Sequence, residues 1–230
     1  LKIMATGGVM SMGDDPKCSE LSFEEMKAII EVAKARGRIT SAHAHGSDGI
    51  KIAVRAGITS IEHGMLMDDE CVELMASHGT YLVPTIIAAK AILDNGVEAG
   101  LAPWMVEKAE LVLSGHKDNL RKCREAGVKI AFGTDAGTSF NYHGVQTVEF
   151  GLMVDFGFTP AQTLVAATRT NAQMMKWDDR VGTLEAGKLA DIVAFDRSPL
   201  EDIQIMDQVS FVMKDGVVCK KDGVPCVTLQ

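Results

Sequence analysis

Histidines stand two residues apart in Ala42-His43-Ala44-His45-Gly46, and a third follows in Ile61-Glu62-His63-Gly64. An aspartate lies in Gly133-Thr134-Asp135-Ala136-Gly137. Each of these segments closes a short apolar run. Imidazole nitrogen and carboxylate oxygen are ligands that zinc and similar dications take, and a catalytic site keeps one position open for water. A bound dication draws the pKa of water down toward roughly 7, and a neighbouring carboxylate then accepts the proton. A lone histidine on an apolar strand is ordinarily a hydrogen-bonded core residue, and a lone aspartate a helix cap. His43, His63 and Asp135, in order at the ends of neighbouring strands, together point to a metal-dependent hydrolase. Lys2 is a further candidate. A lysine amine that adds carbon dioxide becomes a carbamate, which bridges two metals as a carboxylate does. Taken alone, Lys2 reads as a terminal surface charge.

The elements that must position these residues are legible as alternation. Leu1–Met4 is a candidate strand. Ser22 caps a helix from Phe23, with Glu25 completing a capping box, an apolar stripe of Met26, Ile29, Ile30 and Ala33, and Gly37 at the end. Strands are expected at Arg38–Ala42, Ile58–Glu62, Tyr81–Val83 and Val128–Phe132. Helices are expected at Ile50–Ala56, at Asp68–Ser77 with Asp68 as cap, and as one long element at Met105–Ala126. Strand and helix in turn at this spacing mean βαβ units and a parallel sheet. His43, His63, Thr85 and Asp135 all fall at strand C-termini, where a (β/α)8 barrel builds its sites. A doubly wound sheet would favour only its switch point. Strands around Ile3, Thr40, Ser60, Leu82 and Ile130 are too few to close such a barrel. Gln146–Phe156 and Pro160–Met175 read as helices. Beyond Trp177 the character changes: Ala190–Phe195, Val209–Lys214 and Val217–Lys220 are strand-like, with hairpin signals at Asp215-Gly216 and Asp222-Gly223.

Composition narrows the function. The chain has 230 residues, 47% hydrophobic, with a formal net charge of -8. An acidic chain is a poor partner for nucleic acid, which wants a basic face. No run of about 20 apolar residues offers a membrane span. Cys18, Cys71, Cys123, Cys219 and Cys226 form no CxxC pair and read as free thiols. The compartment is set to the cytoplasm only by default. Leu1-Lys2-Ile3-Met4 reads as the middle of a strand, so the chain is expected to be the C-terminal part of a longer protein.

At this point Lys2-Ile3-Met4-Ala5-Thr6-Gly7-Gly8-Val9-Met10-Ser11 resembles the fourth strand of the amidohydrolase superfamily. The likeness is to the imidazolonepropionase-related dipeptidases (carboxypeptidases) that cleave Xaa-Pro, or Xaa-Arg and Xaa-Lys, peptides. His43 matches the fifth-strand ligand, His63 the sixth-strand ligand and Asp135 the eighth-strand aspartate. The segment from Gly182 to Val193 resembles the superfamily's return to its β-sandwich. The resemblance implies an α/β fold: the C-terminal half of a TIM-like barrel over 1-178, strands four to eight, and part of a β-sandwich over 179-230. It implies two zinc ions, bridged by Lys2 as the carbon dioxide adduct and held by His43, His63 and Asp135. Metal-activated hydroxide would cleave a C–N amide bond of a dipeptide, with Asp135 as base. His45 stands where related dipeptidases often carry a tyrosine that polarises the scissile carbonyl. It is expected to do that job, or to stand behind the ligands. His143, in the loop after Asp135, is a candidate for substrate recognition. His78 and His116 read as surface residues.

No His-x-His pair precedes Lys2, where the superfamily's first strand would place one. The expected partners are therefore a dipeptide-like small molecule and either further copies of the chain or a polypeptide supplying the first half. Two alternatives stand beside the dipeptidase. One is hydrolysis of a cyclic amide or imidazolone, disfavoured because Gly46 lies where cyclic-substrate members often have an acidic residue. The other is an inactive half-barrel serving as a structural module.

Overall fold

The computed structural model describes residues 1–226. The last four positions of the 179-230 assignment lie outside the described residues. The chain divides into two compact units, Leu1–His143 and Gly144–Gln230.

The first unit is a parallel sheet in sequential order: β1 (Lys2–Met4), β2 (Ser41–Gly46), β3 (Ser60–Leu66), β4 (Tyr81–Val83) and β5 (Lys129–Ile130). Helices α1 (Phe23–Ala35), α2 (Ser47–Ala56), α3 (Asp69–His78), α4 (Ile86–Asn95), α5 (Pro103–Leu113) and α6 (His116–Glu125) form the crossovers. Local chemistry explains their limits. Ser22 and Glu25 make the expected capping box of α1, and the Asp68 side chain accepts from the Cys71 N–H at the start of α3. Helix α2 ends at Gly57, whose φ of 94° is open to glycine and strained for other residues. Met26, Ile30, Ile50, Ile61, Met75 and Leu82 are buried where the helices lie on the sheet.

Three expectations for this unit need correction. Strand β2 starts at Ser41, not Arg38, because the Arg38 N–H still bonds back to Ala33 at the end of α1. His43 and His45 consequently lie within the strand. The single helix expected over Met105–Ala126 is two helices, α5 and α6, broken at Ser114-Gly115. Ser114 turns its hydroxyl back to the Leu111 carbonyl and Gly115 supports no helix well. The break turns His116 inward. It is fully buried, not on the surface. His78 is exposed, as expected. Helix α4 was not anticipated: Ile86, Ile87, Ala88, Ala89, Ala91 and Ile92 are all buried, so no helical stripe stands out.

The second unit contains helix α7 (Val148–Asp155) and helix α8 (Pro160–Val165), which passes through a π-helical turn into α9 (Asn171–Met174). It also contains a separate antiparallel sheet of β6 (Ile192–Ala194), β7 (Phe211–Lys214), β8 (Val217–Lys221) and β9 (Val224–Pro225). Both hairpin signals fall at turns, where Asp215 and Asp222 have φ of 49° and 50°. Among the described residues no helix is long and apolar enough to cross a membrane. The α/β sheet and the separate antiparallel sheet are the two parts expected.

Candidate metal centre

The first unit encloses a cavity of about 690 Å³ at the C-terminal edge of its sheet. Lys2, His43, His45, His63 and Asp135 all line it. His143 does not; it lines a neighbouring cavity with Phe140 and Tyr142. The two cavities share Met10 and Thr138.

Three imidazoles meet at the centre. Ring centroids are 4.9 Å apart for His43 and His45, 4.7 Å for His43 and His63, and 4.9 Å for His45 and His63. One nitrogen from each can be chosen so that all lie within 4.8 Å of one another. Strand pleat alone would not give this. Ala44, not His43, is the register partner of His63, and neighbours in register share a face. Regular alternation would therefore send His63 to the side opposite His43. Instead His63 has a φ of 73°, which breaks the alternation and brings its ring onto the other two. Thr85 and Asp135, at the next two strand ends, also have positive φ, 46° and 55°. Left-handed backbone at non-glycine residues costs about 1–3 kcal/mol each and persists where the surroundings over-determine it, commonly at functional sites. No local pattern in the sequence marks this conformation.

The hydrogen bonds leave donors free for a cation. His63 Nδ1 and Thr85 Oγ1 are hydrogen-bonded at 2.6 Å, which leaves Nε2 available. His43 Nε2 lies 3.3 Å from the Gly7 carbonyl. His45 is 4% exposed and its Nδ1 has no hydrogen-bond partner. Such an orphan costs about 1–3 kcal/mol unless something takes it up. Burial is the main cause that lowers the pKa of all three rings, well below the ordinary value for His45 and His63. For His43 the Gly7 carbonyl opposes the shift, the Lys2 ammonium adds to it and Asp135 opposes it. Mutual repulsion among the rings adds to burial at His45 and His63. Neutral imidazoles keep the lone pairs a metal requires. The donor set, its spacing and the orphaned nitrogen fit a metal ion.

These shifts predict acid lability. Histidine ordinarily titrates near 6.5, and burial lowers His116 to about 4 while also lowering the three clustered rings. Below about pH 6.5 the unfolded chain binds protons that the folded chain refuses. Stability is therefore complete above that value and falls as acid is added through the window toward the folded values. Each of these histidines removes up to about 1.4 kcal/mol per pH unit within its window. Urea unfolding of the metal-free chain should show falling midpoints from about pH 7 to about pH 5. A flat profile would contradict the burial argument.

Comparison with known proteins agrees with the architecture. An ochratoxinase of Aspergillus niger is 36% identical over 230 residues, 97% of this chain and 47% of the relative. The imidazolonepropionase of Brevibacillus brevis is 26% identical over 211 residues, 87% of this chain and 44% of the relative. The solved structure of a Xaa-Pro dipeptidase with bound methionine in the active site superposes with a TM-score of 0.90 at 39% identity, covering 95% of this chain and 54% of that one. The chain thus spans about half the length of the relatives it matches. The amidohydrolase family model matches residues 1–219, and with that match over nearly its whole length the chain belongs to the amidohydrolase family.

Proposed function

We propose that this chain carries the metal site of a hydrolase that cleaves the C–N amide bond of dipeptide-like substrates, Xaa-Pro or Xaa-Arg/Lys. The observation that carries this reading is the cluster of three neutral imidazoles in one cavity with Lys2 and Asp135. His43, His63, Lys2 as a carbamate, and Asp135 would hold two zinc ions. The metal, when bound, supplies Lewis acidity and a lowered pKa for water. Asp135 takes the proton of the attacking water and returns it to the leaving amine. His45, with its buried and unpartnered Nδ1, offers an N–H to the scissile carbonyl. His143 borders the adjoining cavity and contacts the distal part of the substrate. In this reading residues 1-178 are the barrel segment and 179-230 the sandwich segment.

The cavity wall favours an apolar side chain on the substrate. Val9, Met65, Ala88, Ala89 and Ile92 line it together. The Xaa-Pro reading is supported by a solved structure at 32% identity and a TM-score of 0.88, a prolidase complexed with N-methylphosphonate-L-proline. Against a cyclic-amide substrate stands Gly46. A Cβ there would lie 2.3 Å from the Lys17 carbonyl oxygen, so no acidic side chain fits at that position.

The test is hydrolysis of a panel of Xaa-Pro, Xaa-Arg and imidazolone substrates by the zinc-loaded chain. Turnover of Xaa-Pro substrates with apolar Xaa is expected. In the same assay His45→Ala should lose about 10²- to 10³-fold in kcat, the usual cost of one carbonyl-stabilising donor, while zinc stays bound. Loss of the metal in that variant would make His45 a ligand and overturn its assigned role. Turnover confined to imidazolones would overturn the dipeptidase reading.

A further inference from the structure

Helix α6 sends two buried polar side chains toward the metal site without reaching it. His116 and Asn119 are three residues apart and so share one face of the helix. His116 is 0% exposed and Asn119 9% exposed. The Asn119 amide Nδ2 donates to the Met65 carbonyl at 3.0 Å. The His116 ring lies against the Pro84 backbone, whose carbonyl opposes the burial-driven fall of the ring's pKa. Met65 lies two residues beyond His63, and Pro84 immediately precedes Thr85. The two contacts thus bracket the pair whose side chains share the 2.6 Å hydrogen bond. Both members of that pair, His63 and Thr85, are non-glycine residues with left-handed backbone.

Strained backbone of this kind relaxes unless something holds it. Between β3 and β4 the ladder cannot do so, because their register pairs end at Glu62 and Val83, and beyond them β3 is paired on its β2 side alone. Past those residues the strands need other partners for their carbonyls. We propose that α6 is a clamp: His116 and Asn119 are positioning residues that hold the ends of β4 and β3 so that Thr85 fixes the orientation and tautomer of the His63 imidazole. Neither side chain lines the cavity, and neither touches substrate or metal in this proposal.

The orientation claim stands on geometry alone, whereas its effect on metal rests on the reading of His63 as a ligand. Two readouts keep them separable. The first is the NMR signature of the His63 ring nitrogens in the metal-free chain, which reports tautomer directly. The second is zinc affinity by chelator competition. Asn119→Leu and His116→Leu should each shift the His63 ring toward a mixture of tautomers. They should also weaken zinc by about 10- to 100-fold, the usual cost of disturbing the groups that orient a ligand. His116→Gln, which keeps an N–H donor, should restore much of both. Cys123→Ala is the control: Cys123 is buried on the same helix, so its loss loosens α6 packing without removing either carbonyl contact. It should lower the unfolding midpoint and leave the His63 signature unchanged. If the leucine variants do not fold, Asn119→Ala and His116→Ala carry the same comparison.

Unchanged ring signals and unchanged zinc affinity in folded Asn119 and His116 variants would overturn the clamp. So would an equal effect from Cys123→Ala, which would reduce the two residues to packing. A shifted ring signature in a chain that binds no zinc, even unaltered, would leave the clamp standing and defeat the metal reading.

Discussion

In the His63→Ala chain zinc affinity should fall by more than about 100-fold, beyond the 10- to 100-fold range typical of changes around a ligand. His63 is 5% exposed, and its ring stands 4.7 and 4.9 Å from those of His43 and His45 as the third corner of the cluster. The loss should not be one of folding. Alanine keeps the Cβ and so the strain of the 73° φ, and the change removes ring contacts without altering the demand on the backbone. The outer-shell partner gives a graded comparison. Thr85→Val removes only the hydroxyl that bonds His63 Nδ1, and should weaken zinc by no more than about 100-fold. Chelator competition on both variants, with circular dichroism to establish folding, checks the order. Equal affinity for His63→Ala and the unaltered chain would remove His63 from the site.

Asp135 separates chemistry from stability more sharply. Asp135→Asn should lower kcat by about 10²- to 10⁴-fold, the usual contribution of a positioned base. Asp135 is exposed and has a φ of 55°, a backbone conformation that glycine adopts without cost. Asp135→Gly should therefore be as inactive as Asp135→Asn and no less resistant to urea than the unaltered chain. A site residue whose removal relieves strain is the pattern expected where function is bought with stability. Turnover retained in Asp135→Asn would contradict the assigned base, and a large loss of stability in Asp135→Gly would contradict the strain.

Much of the first unit could be read from the chain. The strands carrying His43 and His63, and the strand ends before Thr85 and Asp135, stand out because polar residues interrupt apolar runs, and the Ser22–Glu25 box marks α1 directly. Helix α4 could not be read, because a helix buried on every face has no amphipathic period. The α5–α6 break was hidden because Gly115 within a helical pattern is tolerated often enough to be passed over. That error also placed His116 on the surface, whereas it is buried beneath the site. The positive φ at His63 was illegible for a different reason. The contacts around it are distant in sequence: Thr85 at the end of β4 bonds the ring, and Asn119 on α6 bonds the Met65 carbonyl two residues on. Residue types announced the site, and long-range packing shaped it.

The central claim is that His43 and His63, with Lys2 and Asp135, hold metal in the cavity they line. Its most direct test is elemental analysis of the purified chain, of verified intact mass, after dialysis against zinc and then against a weak chelator. The account predicts stoichiometric zinc that survives the weak chelator, is removed by a strong one, and is lost in His63→Ala. Zinc absent from the unaltered chain, or retained equally by His63→Ala, would contradict it.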